Sequence, residues 1–245
     1  MVNPAPSNPA PSNPAPLNPA PLNPAPSNPA PSNPAPLNPA PSNPAPLNPP
    51  DWHKLPLFPL GTVLFPGGVL PLRVFETRYV DMMRECMRAG QPFGVCLIKE
   101  GPEVGAPAVP HAIGCLASIT DFDMQQPGVL NIVTRGAGRF RVLDTFAQAN
   151  RLVRARAEAI PDDPAAAVPL AFSVCALTLR AILPELPAGM IATPHQFDDA
   201  TWLSNRLAEI LPIQALAKQR LMELPDALTR LEIIHTFLAQ QGLNA

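Results

Sequence analysis

The chain has 245 residues, with 17 Lys and Arg against 19 Asp and Glu, for a formal net charge of -2. That balance excludes the strongly basic field with which proteins gather nucleic acid or an anionic membrane surface. Every charged residue lies at Asp51 or beyond, so residues 1–50 are a compositionally separate segment and residues 51–245 hold whatever folds. That remainder suits one domain or two small ones, with a core that needs no staples.

Residues 3–47 are nine tandem copies of Asn-Pro-Ala-Pro-Ser/Leu, followed by Asn48-Pro49-Pro50. Two fixed φ angles in every five residues favour polyproline II, and each residue before a proline is pushed the same way. Almost nothing in the repeat can form a core, so residues 1–50 are expected to be a disordered tail or spacer. It reads either as a tether or proline-motif ligand, or as a repeat expansion in the coding DNA. No basic stretch followed by an apolar one opens the chain, so no secretory signal is read. The four cysteines, at 86, 96, 115 and 175, make no C-x-x-C pair. They are expected to be reduced, mostly buried thiols in a cytoplasmic protein.

Residues 55–72, LPLFPLGTVLFPGGVLPL, run eighteen positions without a charge. That length makes a transmembrane helix a candidate. Pro56, Pro59, Pro66 and Pro71 exclude it, because each interior proline costs a helix about 3 kcal/mol and frees backbone groups that lipid cannot satisfy. The breakers fall at strand spacing. The run is therefore read as two buried strands, 55–60 and 69–75, around a turn at Phe65-Pro66-Gly67-Gly68.

Phe75, Tyr79, Met82, Met83 and Cys86 then recur at helical spacing, with Gly90 as a stop. Strands are predicted at 93–99, 112–122, 129–135, 140–146 and 152–160. Residues 101–110 are a loop, and Gly128, Gly136 and Gly138 punctuate hairpins. At Pro161-Asp162-Asp163-Pro164 the pattern changes. Helices are predicted near 167–183, 198–211, 213–224 and 226–241, with Asp198, Asp199 and Asp226 at helix starts. Strands first and helices second make an α+β chain: residues 51–161 carry the strands and 162–245 the helices.

Reactive chemistry is hard to find. No G-x-x-x-x-G-K-[ST] occurs, Gly136-Ala137-Gly138 lacks the rest of a dinucleotide fingerprint, and no serine sits in G-x-S-x-G. His111 and Cys115 are four apart, but on a predicted strand that spacing does not bring two metal ligands together. Met82, Met83 and Met87 are read as gap-filling core residues. Glu76, Arg78, Asp81, Arg84, Glu85 and Arg88 are read as a solvated helix face. No catalytic residue, cofactor or metal is assigned.

A family signature runs through these residues. Leu55-Pro56-Leu57-Phe58-Pro59-Leu60-Gly61, Val63-Leu64-Phe65-Pro66-Gly67, Leu70-Pro71-Leu72-Arg73-Val74-Phe75-Glu76 and Arg78-Tyr79 closely resemble the start of the Lon protease N-terminal, substrate-binding domain. Phe93-Gly94-Val95, Gly114 and Gly138-Arg139-Phe140 match later strands of that family. Trp202, Leu207-Ala208, Leu211-Pro212, Lys218-Gln219, Leu221, Glu223 and Arg230-Leu231 match its helical part. The resemblance covers about 55–241 and implies a PUA-like β-barrel followed by a helical bundle. Full-length Lon proteases continue into an ATPase module and a Ser–Lys peptidase, whereas this sequence resembles the stand-alone bacterial proteins of the substrate-binding domain.

The expected function is a non-enzymatic module that binds unfolded or apolar segments of polypeptides, as an adaptor or holdase. The alternative is a small-molecule or modified-nucleotide/RNA binder that uses the barrel. Phe65, together with Val104, Val109, Phe122 and Met124 in apolar loops, are the expected polypeptide contacts. No membrane partner is expected, and near-neutral charge counts against nucleic acid.

Overall fold

A computed structural model describes residues 48–242. The repeat at 3–47, and with it the expectation of a disordered tail, lies outside the described residues. Asn48 and Pro49, assigned to that tail by composition, are held on the folded part. Asn48 N donates to Gly90 O at 2.9 Å, and Gln91 Nε2 donates to Pro49 O at 3.1 Å.

The described chain is a mixed fold of seven strands and five α-helices. The strands are β1 (Leu55–Leu60), β2 (Val69–Val74), β3 (Phe93–Glu100), β4 (Val109–Pro110), β5 (Ile113–Gln126), β6 (Val129–Ala147) and β7 (Val153–Ala159). Helix α1 (Thr77–Ala89) falls between β2 and β3. Helices α2 (Ser173–Ile182), α3 (Ala200–Ile210), α4 (Ala215–Glu223) and α5 (Ala227–Gln240) follow the strands.

β1 pairs with β7, β7 with β6, β6 with β5, β5 with β3, and β3 returns in parallel to β1, so the pairings close a ring of five strands. All six residues of β1 are buried, which is why it reads as a continuous apolar run and not as an alternating one. β2 differs. It lies against the first half of β6 alone, Val69 opposite Arg135 through Val74 opposite Leu130, and Val74 is its one buried residue. The expectation of two buried strands therefore holds for β1 and fails for β2. An edge position also explains how β2 accommodates Pro71.

β6 corrects a second expectation. Its 19 residues run straight through Gly136 and Gly138, where two strands and a hairpin were predicted. Gly136 is a point of close approach. Gly67 N donates to Gly136 O at 2.9 Å, and Gly136 N donates to Gly68 O at 2.8 Å. A Cβ at position 136 would stand 2.1 Å from Phe65 O, backbone that cannot step aside. The Phe65-Pro66-Gly67-Gly68 turn is thus docked on the strand. Gly68 N closes it onto Phe65 O at 3.0 Å, and Gly67 takes φ 77°.

The core has three parts. Phe58, Tyr79, Met82, Met83, Phe93 and Leu130 form one, under α1. Leu55, Leu57, Phe140 and Val153 form another. The largest joins both ends of the chain: Leu179, Leu203, Leu207, Leu231 and Leu238 of the helices pack with Val63, Phe65 and Leu97 of the strand region. Asp199 caps α3, accepting from Trp202 N, and Asp226 caps α5, accepting from Leu228 N and Thr229 N. The charged face read on α1 is only partly solvated. Arg78 is buried, pairs with Glu76 at 2.9 Å and donates to Arg151 O, while Glu85 pairs with the buried Arg154 at 2.7 Å.

One buried ion cluster ties the helices to the strands. Asp163, with its side chain 3% exposed, accepts from Arg139 of β6 at 2.5 Å and from Arg230 of α5 at 2.9 Å. The two guanidiniums also satisfy carbonyls where α4 ends. Arg139 donates to Met222 O and Leu224 O, and Arg230 donates to Leu221 O and Leu224 O. These are carbonyls that a helix C-terminus leaves without an internal partner.

Two stability predictions follow from this packing. Gly67→Val should lower the unfolding free energy by at least about 2 kcal/mol, from left-handed backbone strain and from a Cβ placed 2.8 Å from Arg206 Nη1. Asp163→Ala should cost about 3–5 kcal/mol, because it leaves two buried cations without their anion. Urea unfolding measures both, and wild-type midpoints would contradict them.

Candidate functional site

The described surface carries a cleft of about 510 Å³ between β2 and the helices. Val69, Leu70 and Pro71 of β2, Val133 of β6, and residues 62–64 form its strand-side wall. Residues 187–190, Glu209 and Ile210 of α3, and Lys218 of α4 form the other. A shallower hollow of about 330 Å³ shares Pro71 and Val133 with it and continues along β2 to Arg73, Asp121, Phe122 and Asp123. Together they make a mostly apolar groove that follows an edge strand, with charged groups towards each end.

The polar end is built by the α3–α4 corner. Arg206 and Glu209 lie three residues apart on one face of α3, with Nε 2.7 Å from Oε2. Arg206 Nη2 reaches further and donates to Pro66 O at 2.7 Å, so the same guanidinium holds both the carboxylate and the docked turn. α3 stops before Pro212, and Lys218, in the following helix, donates from Nζ to the Glu209 carbonyl at 2.5 Å. A lysine on the last carbonyls of a helix is a common C-terminal cap. Burial pushes the Glu209 carboxyl up to about 7, against the pull of Arg206 and Lys218. Burial likewise draws the Lys218 ammonium below its ordinary value, opposed by Glu209. An apolar cleft with a few convergent polar groups and shifted acids is the usual form of a binding site.

The residues singled out from sequence fall elsewhere in part. Phe65 is wholly buried, beneath the docked turn. Val104 and Val109 are 54% and 50% exposed, Val104 before β4 and Val109 in it. Phe122 and Met124 are 61% and 44% exposed and belong to β5, not to loops. Phe122 lines the shallower hollow, opposite Ile132 and Leu72 in register, and none of the five lines the larger cleft. Glu209, Lys218 and Arg206 were not anticipated as site residues. The available signals were the scarcity of lysine, since Lys218 is one of three after the repeat, and its place in the Lys218-Gln219 match to the family's helical part.

Cys115 lies wholly inside and donates to Ala137 O, and burial pushes its thiol well up. Burial holds the Cys86 and Cys96 thiols up at about 12 and Cys175 at about 11. All four are free and buried, as expected. Among the described residues no three metal-binding side chains converge, and no helix is long and apolar enough to cross a membrane.

Residues 54–240 match the family described as the ATP-dependent protease La (LON) substrate-binding domain. The chain belongs to this family. A solved structure of a Lon N-terminal domain protein from Xanthomonas campestris is 37% identical, with a TM-score of 0.63 over 74% of this chain and 96% of that one. The N-terminal domain of a Mycobacterium avium complex Lon protease shares the fold at 15% identity and a TM-score of 0.56, over 76% of this chain and 98% of that one. A Lon protease of Anaeromyxobacter dehalogenans is 27% identical over 74% of this chain and 22% of its own length. One of Phenylobacterium zucineum is 27% identical over 75% and 24%. The chain thus spans about a quarter of the length of these bacterial relatives.

Glu209 carries a pH signature. The folded state holds this proton up to about 7, whereas an unfolded carboxyl releases it near 4.5. Unfolding therefore sheds a proton between those values, and the group's contribution to stability falls as pH rises through the window. Glu209→Gln should flatten that part of the stability profile, measured by denaturant unfolding between about pH 4.5 and about pH 7. An unchanged slope would assign it to other groups.

Proposed function

We propose that this protein is a non-enzymatic binding module whose clients are extended, apolar segments of other polypeptides, in the manner of an adaptor or holdase in the cytoplasm. The closed strand ring is, on this reading, the PUA-like barrel of the family. The division falls near 161, with a strand part at 51–161 and a helical part at 162–245 packed on it. The observation that carries the proposal is the apolar groove along β2. An edge strand offers unpaired backbone groups along one side, and the groove offers apolar contact beside it, a combination that suits strand addition with little sequence preference. Phe122 and Met124 extend the contact surface at the far end, while Val104 and Val109 lie outside the groove. The sequence has no P-loop or nucleophile–base motif, so neither ATP hydrolysis nor peptide cleavage is assigned to it.

Unfolded, apolar-rich polypeptide should bind at roughly micromolar affinity, about -8 kcal/mol. Binding should persist in added salt, because apolar contact is not screened as surface charge pairs are. Met190→Asp, at a cleft residue 40% exposed, should weaken it roughly tenfold without loss of fold. The measurement is a fluorescence titration with unfolded protein and with single-stranded RNA at low and high salt. RNA binding that collapses with salt, without polypeptide binding, would replace this reading with a nucleotide-binding one.

A further inference from the structure

We infer that the cleft recognises the free carboxyl terminus of an apolar polypeptide, received by Lys218. This rests on the reading of the groove as a polypeptide site and adds a polarity to it. At the α3–α4 corner two cations, Arg206 and Lys218, face one anion, Glu209. Arg206 is consumed by Glu209 and Pro66 O. Lys218 has three protons, and among the described residues it makes one hydrogen bond, to the Glu209 carbonyl. The residue is partly buried and lines the apolar cleft. Desolvation of a cation is offset most effectively by an anion brought to it.

The opposite end of the groove has the reverse balance. Asp121 and Asp123 of β5 stand near Arg73 of β2, two anions to one cation. A chain lying along β2 with its carboxylate at Lys218 would turn its upstream backbone towards these acids. A volume of about 510 Å³ accommodates a few apolar side chains ahead of the terminus, against Val69, Leu70, Pro71 and Ile210. While ionised, Glu209 disfavours any second carboxylate beside it, terminal or side-chain alike. A terminal carboxylate has no chain beyond it and can reach Lys218 without carrying further residues past Glu209.

Three forms of one labelled apolar decapeptide test the assignment by fluorescence titration: free acid, C-terminal amide, and amide with one internal Asp. The free acid should bind roughly tenfold tighter than either amide, the amount a charge-assisted hydrogen bond supplies. Lys218→Met should abolish that preference, with residual amide binding showing that the variant is folded, and Lys218→Arg should retain it. Equal binding of acid and amide would overturn terminal recognition while leaving the polypeptide site standing. An Asp-containing amide that matches the free acid would overturn it in favour of acidic side chains. No binding of any form would overturn both readings.

Discussion

Asp163 joins the strand ring to the last helix. Its two carboxylate oxygens meet Arg139 of the strand ring and Arg230 of the last helix, and all three side chains are almost without solvent. Such a cluster is costly to assemble, since each ion gives up several kcal/mol of hydration, and it survives by satisfying nearly every donor it contains. Here the surplus guanidinium protons go to the carbonyls at the α4–α5 junction. The position of α4 therefore depends on a residue of the strand part, and Lys218 rides on α4. Through that chain of contacts the ion cluster fixes one wall of the groove.

The second wall depends on backbone fit. The Phe65–Gly68 turn can dock on β6 only where β6 has no side chain, and Arg206 then clamps the turn from the helical side. Phe65 beneath it belongs to the same apolar cluster as the α3 leucines. Turn, strand and helix thus meet at one place, and Glu209 is buried there as a result. Its raised proton affinity is a by-product of that packing, and it makes the corner more cationic as it protonates.

Most elements were legible in the sequence because periodicity and breakers are local. β1, β3, β7, α1 and α5 fall within a residue or two of their predicted bounds. β6 was misread because a glycine needed for close approach and a glycine needed for a turn look identical in sequence. Gly136 is the former and Gly128, at φ 83°, is of the turn-forming kind. Arg78 was misread because helical spacing gives no sign that a loop carbonyl, Arg151 O, waits opposite. The ion cluster and the cleft were invisible for a related reason. Arg139, Asp163 and Arg230 are far apart along the chain, and Glu209 with Lys218 becomes a site only when α3 and α4 turn against β2. Phe122, expected as an apolar loop residue, lies exposed in β5, because composition shows an apolar residue but not whether a strand carries it.

The closed ring has a consequence for how the protein comes into being. β1 is the most apolar strand and the first to be made, yet its partners arrive late: Leu57 pairs with Gly94, and Leu55 with Ala155 about 100 residues later. At ribosomal rates of roughly 5–20 residues per second, that strand waits several seconds without its final neighbour. Non-local pairing of this kind also slows folding once synthesis is complete. During that interval the nascent chain displays an uncharged, apolar segment, of the class proposed above as the groove's client. Prolines at 56 and 59 interrupt its donors and lessen its tendency to pair with the wrong strand.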